Sequence, residues 1–393
     1  VLRLVVFVVA VGSLSALFHA MLYQWAMEAW PRLRPHRRPV IALFAFLVVA
    51  APGARFLAHA FPGPWAAGPY AAVMIEALVV MVSAPLLIVV RFAGRLRERR
   101  AKAKGEPEAK ALSRRQVLEA TAGTLVLGAT GGALGWGAIR GRHAFALEEV
   151  AVKIVGLPKA LDGYTLVQLS DVHVGAFVQE RELEEGFELV RRVKPDLIVV
   201  TGDMIDFDPA FLPLWTRSLQ GLTARDGIFT ILGNHDYYAG ADQVMHALEG
   251  AGIPVLRNDG RILRPDDGGG FALLGVDDAS ADRRTAPGPD LAAAIARVRG
   301  ANDRPKILLS HQPKTLEAWA GKVALQLSGH THGGQVNLPG GKLRPADAVF
   351  RWVSGRYEVD GTTLWVNRGF GTAGPPTRVG SPPEVTKIVL VAG

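Results

Sequence analysis

Five of the six histidines beyond residue 150 fall in a set of short polar motifs that interrupt apolar runs. The motifs are Ser170-Asp171-Val172-His173, Gly202-Asp203-Met204-Ile205-Asp206, Gly233-Asn234-His235-Asp236, Ser310-His311-Gln312-Pro313 and Ser328-Gly329-His330-Thr331-His332-Gly333-Gly334. Asp-x-His and His-x-His spacings place two donor side chains on one side of an extended segment, because alternate residues share a face. Adjacent glycines let backbone and ligand approach closely. Mixed Asp, His and Asn donors suit divalent ions such as Mn, Fe or Zn. The expected chemistry is therefore metal-assisted, with surrounding hydrogen bonds orienting the imidazoles. The sixth histidine, His246, is expected on the surface of a helix.

Strands must carry these motifs. Tyr164–Ser170, Asp196–Thr201, Ile228–Leu232, Phe271–Val276, Lys306–Ser310, Ala324–Ser328, Thr363–Val366 and Val385–Val391 read as strands, several of them continuous apolar runs of the kind buried on both faces. Arg181–Val193, Ala241–Gly250 and Pro289–Val298 read as helices. The alternation predicts an α/β domain over 147–393, with the polar motifs at the carboxyl ends of strands, where open α/β sheets hold ligands.

The ordered set Asp-x-His, Gly-Asp-x-x-Asp, Gly-Asn-His-Asp, His and Gly-His-x-His resembles the calcineurin-like metallophosphoesterases over roughly 160–393. Ser328–Gln335, Asn367-Arg368-Gly369-Phe370-Gly371 and Pro383-Glu384-Val385-Thr386 are similar to a membrane-associated branch with a transmembrane or twin-arginine N-terminus. The resemblance implies a four-layer α/β/β/α sandwich around two divalent metal ions (Mn, Fe or Zn). One would be held by Asp171, His173, Asp203 and His332, the other by Asp203, Asn234, His311 and His330, with Asp203 bridging. His235 would sit near the leaving group, Asp206 would orient it, and Asp236 would support the ligands from behind. Some phosphoprotein phosphatases of the family continue Gly-Asp-x-x-Asp with Arg-Gly. Phe207-Asp208 stands there in this sequence, which argues against a phosphoprotein substrate. Arg368 and Arg378 are open to two readings, phosphate contact or surface salt bridge.

Such a centre would hydrolyse a phosphoester by in-line attack of metal-bridging hydroxide, with protonated His235 donating to the departing oxygen. The expected substrates are phosphodiesters or lipid-linked phosphates. Cleavage of the pyrophosphate in a UDP-2,3-diacylglucosamine-type substrate of lipid A synthesis is the alternative. A membrane sensor or transporter carrying a phosphoesterase-like module is a rival from another class.

The elements before residue 140 are of another kind. The chain of 393 residues carries a net charge of +8 and a mean hydropathy of +0.20. Residues 1–150 account for +10 and the remainder for −2. A basic groove for nucleic acid is therefore not expected in the second half. Cysteine is absent, which excludes disulfides, thiolate metal sites and a Cys nucleophile. Apolar runs over about 4–27, 40–61, 66–90 and 117–139 are expected to span a bilayer, which needs about 20 apolar residues in a helix. Arg55 and Glu76 interrupt two of them and are expected to be paired or to reach an interface. The loop with Arg32, Arg34, Arg37 and Arg38 and the basic linker 91–116 are expected on the cytoplasmic side. The expectation is a multi-pass protein of the cytoplasmic membrane, with a membrane domain over 1–140 and the catalytic domain outside. Ser113-Arg114-Arg115-Gln116-Val117-Leu118 resembles a twin-arginine signal, which would make the export machinery a partner, with Ala144-Phe145-Ala146 as a candidate cleavage site. The same arginines also suit a stop-transfer flank.

Overall fold

The structure, a computed structural model, describes residues 2–60, 64–105, 107–281, 286–338 and 344–393, with the side chains of 2–11, 51, 55–60, 64–66 and 108–113 outside the description. The chain divides into two compact units, Val1–Ala138 with Gly374–Pro376, and Ile139–Ala373 with Thr377–Gly393.

The first unit is built on helices α1 (Leu2–Ala29), α2 (Arg37–Ala60), α3 (Pro64–Ala103) and α4 (Glu108–Ile139). Among the described residues three helices are long and apolar enough to cross a membrane, Pro31–Ala54, Ala67–Ala103 and Arg114–His143. The expected span 4–27 lies on α1, but the side chains up to residue 11 fall outside the description, as do those of Arg55 and Ser113. At 1.5 Å per residue α3 is about 60 Å long, twice the hydrocarbon thickness of a bilayer. Of the basic segment 91–116, residues up to Ala103 continue α3 and those from Glu108 belong to α4. Arg, Lys, Ala and Glu favour helix, and Glu98 pairs with Lys102 one turn on at 3.1 Å, so α3 runs through to Ala103.

Buried polar pairs tie these helices together. Glu76 is paired, its Oε1 3.1 Å from Nε2 of His19. Glu28 pairs with Arg91. Arg115 bridges Glu98 at 3.0 Å and Glu119 at 3.6 Å. The second arginine of the twin-arginine-like motif is therefore a buckle between α3 and α4. Trp25 packs so closely on Gly123 that a Cβ there would lie 1.9 Å from the indole. Phe46, Val49, Val89 and Phe92 stay exposed, as lipid-facing side chains do.

The second unit holds two sheets. Its elements are β1 (Ala146–Ile154), β2 (Thr165–Leu169), α5 (Glu180–Val193), β3 (Leu197–Val200), α6 (Leu212–Gln220), β4 (Ile228–Thr230), α7 (Asn234–Ala239), α8 (Ala241–Gly250), β5 (Asp259–Leu263), β6 (Phe271–Gly275), α9 (Leu291–Arg297), β7 (Lys306–Leu309), β8 (Leu325–Ser328), β9 (Gly355–Val359), β10 (Thr362–Val366) and β11 (Glu384–Ala392). One sheet has the order β1-β11-β2-β3-β4 and the other β5-β6-β7-β8-β10-β9.

Strand periodicity sorts the apolar side chains into layers. Leu166, Leu197, Val199, Leu273, Ile307, Leu309, Leu325 and Leu327 form one core to which both sheets contribute. The alternate residues Val167, Leu169, Ile198 and Val200 pack with Leu183, Phe187 and Val190 of α5, Trp215 of α6 and Leu248 of α8. On the second sheet Ala272, Leu274 and Leu308 pack with Leu291 and Ala294 of α9. Helix α5 is well specified. A capping box joins Gln179 and Glu182, acidic residues occupy its first turn and Arg191 and Arg192 its last, matching the helix dipole.

The expected strands all form, within two residues at either end. Three more, β1, β5 and β9, escaped the sequence pattern, and all three are edge strands. An edge strand faces water along one side, so Glu148, Glu149, Asp259, Arg261, Arg356 and Glu358 break the apolar runs that mark central strands.

Candidate metal centre

β2, β3 and β4 are parallel neighbours, as are β7 and β8, so the turns at their carboxyl ends lie side by side. Backbone bonds stitch the turns together. The N–H groups of Asp171 and His173 donate to the carbonyls of Gly202 and Asp203 at 3.0 Å, and Gly329 donates to His311 at 3.0 Å. Five residues at these turns, Asp171, His173, Asp203, His330 and His332, have φ between 51° and 72°. A left-handed backbone is uncommon for residues other than glycine and concentrates at functional sites. Glycine is required beside it. A Cβ on Gly329 would lie 1.9 Å from Ser170 Oγ and 2.1 Å from Asp171 Oδ2.

The side chains converge. Ligand atoms of Asp171, His173 and His332 lie within 4.8 Å of one another, as do those of Asp203, His311 and His330, and those of His173, Asp203 and His235. Asp203 Oδ2 is 3.2 Å from His311 Nε2 and 3.7 Å from His173 Nε2. Asn234 Oδ1 is 3.1 Å from His311 Nε2. His246 lies exposed on α8.

Two observations fit divalent cations to this donor set. His173 Nε2 and His332 Nε2 stand 3.0 Å apart, with His332 Nε2 3.5 Å from Asp171 Oδ1, a convergence of nitrogen and oxygen lone pairs that a cation satisfies. Asp171, His173, Asp203, His311 and His332 are buried, and buried carboxylates need a compensating charge.

The family model for calcineurin-like phosphoesterases matches residues 164–334. An "Uncharacterized metallophosphoesterase YkuE" of Bacillus subtilis is 34% identical over 294 residues, covering 72% of this chain and 98% of that one. This chain is a calcineurin-like metallophosphoesterase. A "Transmembrane protein with metallophosphoesterase domain" of Danio rerio is 33% identical over 62% of this chain and 56% of its own length. An "Uncharacterized metallophosphoesterase" of Aquifex aeolicus is 33% identical over 63% of this chain and 92% of that one.

The polar surroundings of this metallophosphoesterase centre fix each ring. His311 Nδ1 donates to Thr201 O at 2.8 Å, which leaves Nε2 facing Asp203. His235 Nδ1 donates to Asp206 O at 2.8 Å, with Asp206 Oδ1 at 3.3 Å. Asp236 is fully buried and accepts from the N–H groups of Asp203, Met204, Ile205 and Gly233 at 2.8–3.4 Å. Its carboxylate thereby clamps two ligand-bearing turns together.

Burial alone would raise the Asp203 carboxyl, but His311 and His173 beside it hold it well below the usual range. Burial also opposes a charged His235 and is outweighed by the Asp206 carboxylate and by Asp203, which hold that ring up at about 8. Asp206 in turn stays near 2, since contacts with His173 and His235 overcome its burial. Burial, then His311, depress His330 to about 4, while burial, then His173 and Arg378, hold His332 well below the usual imidazole range. Neutral rings at those two positions keep their lone pairs available to a metal.

Of the two arginines singled out in the sequence, Arg368 forms salt bridges, one of them to the partly exposed Glu148, whereas Arg378 is neither an exposed phosphate contact nor a surface salt bridge. Arg378 is fully buried, donating to the carbonyls of Gly369, Gly371, His332 and Ser381. Arg368 Nε pairs with Glu384 at 2.8 Å and Nη2 with Glu148 at 2.5 Å. The candidate cleavage site is folded into the domain: Phe145 lies 4.7 Å from Phe370 and Ala146 pairs with Glu384 in the sheet. Three aromatic side chains stand beside these histidines, and of them the sequence drew attention only to Phe207, as the residue in place of an arginine. Phe207 and Tyr238 flank His235, with ring centroids 4.6 and 5.3 Å away, and Phe350 meets His330 edge-on at 5.7 Å.

Proposed function

We propose that the chain is a membrane-anchored phosphoester hydrolase with two divalent ions, acting on phosphodiesters or lipid-linked phosphates. The observation that carries this reading is Asp203, whose carboxylate belongs at once to the group with His311 and His330 and to the group with His173 and His235. Asp171, His173, Asp203 and His332 would hold one ion, and Asp203, Asn234, His311 and His330 the other. The ions supply Lewis acidity toward the phosphoryl oxygens and an attacking water of lowered pKa.

The remaining work falls to the chain's own side chains. His235 stands beside both groups with Nδ1 fixed on Asp206, so its other nitrogen is available to the leaving oxygen. Asp206 favours the protonated ring, which donates its proton as the bond to phosphorus breaks. Asp236 keeps the turns bearing Asp203 and Asn234 in register. The apolar helices and the basic loops support an anchor in the cytoplasmic membrane with the catalytic unit outside, where phosphates of the envelope are the accessible substrates.

The deciding experiment is an assay of the purified full chain with Mn, Fe or Zn against phosphomonoesters, phosphodiesters and lipid phosphates. Turnover that a chelator removes and added metal restores is expected, with D203N inactive. Turnover indifferent to metal, or none on any ester, would overturn the reading.

A further inference from the structure

Phe207 and Tyr238 are 40% and 59% exposed, although each ring carries a large apolar surface that folding normally hides. They are not scattered. Their planes agree within 12° at a centroid separation of 6.1 Å, and both touch the ring of His235. Phe207 follows Asp206 directly, and Tyr238 lies one helical turn beyond His235 on α7. The two segments that hold the proton donor thus also present two near-parallel aromatic faces beside it.

Geometry decides what would meet those faces. A leaving oxygen that takes a proton from His235 lies within about 2.6–3.2 Å of its nitrogen. A group attached to that oxygen through one or two atoms is then within reach of rings centred 4.6 and 5.3 Å from the imidazole. Offset stacking on an aromatic face suits a flat π-system and tolerates variation in its identity. We infer that Phe207 and Tyr238 form a subsite for a planar ring on the leaving group, whether an aryl group or a nucleobase. This rests on the phosphoester-hydrolase reading and adds to it the chemistry of the departing alcohol.

The test uses the full chain and methyl phosphodiesters whose second alcohol is methyl, n-hexyl, benzyl or a 5′-linked nucleoside. Variant-to-wild-type ratios of kcat/KM cancel the intrinsic reactivity of each ester. F207A and Y238A are each expected to lower kcat/KM about tenfold for the planar alcohols, several-fold more than for methyl or hexyl. The benzyl and nucleoside arms separate the two sources of the ring. Val155, 79% exposed on the turn after β1, provides a control, and V155A should shift no ratio. A second readout needs no turnover. Benzyl alcohol and the free nucleoside, followed by ligand-observed NMR with chelated wild-type protein, should show binding that F207A and Y238A weaken.

Equal losses on all four esters, or none on the planar pair, would overturn the subsite while leaving hydrolysis intact. Absence of hydrolysis on every ester would instead count against the enzyme reading, and the binding arm would then judge the subsite alone.

Discussion

The guanidinium of Arg378 lies with Nη2 3.2 Å from Nδ1 of His332. Metal-binding histidines normally donate from the ring nitrogen that faces away from the metal. His311 does so toward Thr201. At His332 a guanidinium takes that place, its Nη2 hydrogens given to the carbonyls of Gly369 and Gly371, and burial brings Arg378 down to about 9. Arg378 also spans the carbonyls of Gly369 and Gly371, and so ties His332 to the loop ahead of β11.

Removing that guanidinium should disturb both fold and metal. R378M strips donors from four buried carbonyls, a loss of about 3 kcal/mol or more. Its melting temperature should drop and its metal content should fall below half the wild-type value. R378K, with three donors in a different geometry, should recover stability better than metal content. Thermal unfolding and elemental analysis check both, and wild-type values in R378M would remove the role.

His235 should matter to turnover and not to metal retention. H235A is expected to keep its metal and lose about 10²–10⁴-fold in kcat. The donor must be protonated to act, so the wild-type rate should decline as pH rises through about 8, the value set against burial by Asp206 and Asp203. That limb should be missing from the H235A profile. A pH–rate series on both proteins decides it.

Gly329 lets the turn after β8 lie against Ser170 and Asp171 at the end of β2. In G329A the new Cβ would collide with Ser170 Oγ and Asp171 Oδ2, both side chains fixed by hydrogen bonds. We expect metal affinity at least tenfold weaker with secondary structure retained. Metal titration beside circular dichroism would show it, and normal affinity would mean that the turn yields without cost.

The basic loops predict which side of the membrane the catalytic unit occupies. A phosphatase reporter fused after residue 393 should be active only if the unit lies outside, and a fluorescent protein that matures only in the cytoplasm should stay dark. The opposite pattern would move the unit inside and revive the lipid A reading.

The sequence made the central strands and the polar turns legible, because buried parallel strands are continuous apolar runs and their ends carry the only histidine-rich segments. Other features were hidden for physical reasons. β1, β5 and β9 carry charge because they are edges. Arg378 looks like any surface arginine, since nothing in Pro375-Pro376-Thr377-Arg378 reveals that four carbonyls from other turns enclose it. Tyr238 carries no mark in the sequence and Phe207 only that of standing in place of an arginine, and it is their exposure beside His235 that sets them apart. Glu76 was expected to be paired or to reach an interface, and its partner, a histidine on another helix, is not marked by any spacing in the sequence.

The strand order of the first sheet carries a kinetic consequence. β1 has a single neighbour, β11, and its Glu149 meets Lys387 across 238 positions of chain. β2 likewise borders β11. Synthesis therefore delivers β1 and β2 long before the strand that joins them, and the nascent chain must wait with those edges unsatisfied. Pairings this distant in sequence fold slowly and leave strands open to aggregation meanwhile. Closure of this sheet must wait until residues 384–392 have emerged, and truncations short of Glu384 should yield a chain that chaperones hold rather than a smaller enzyme.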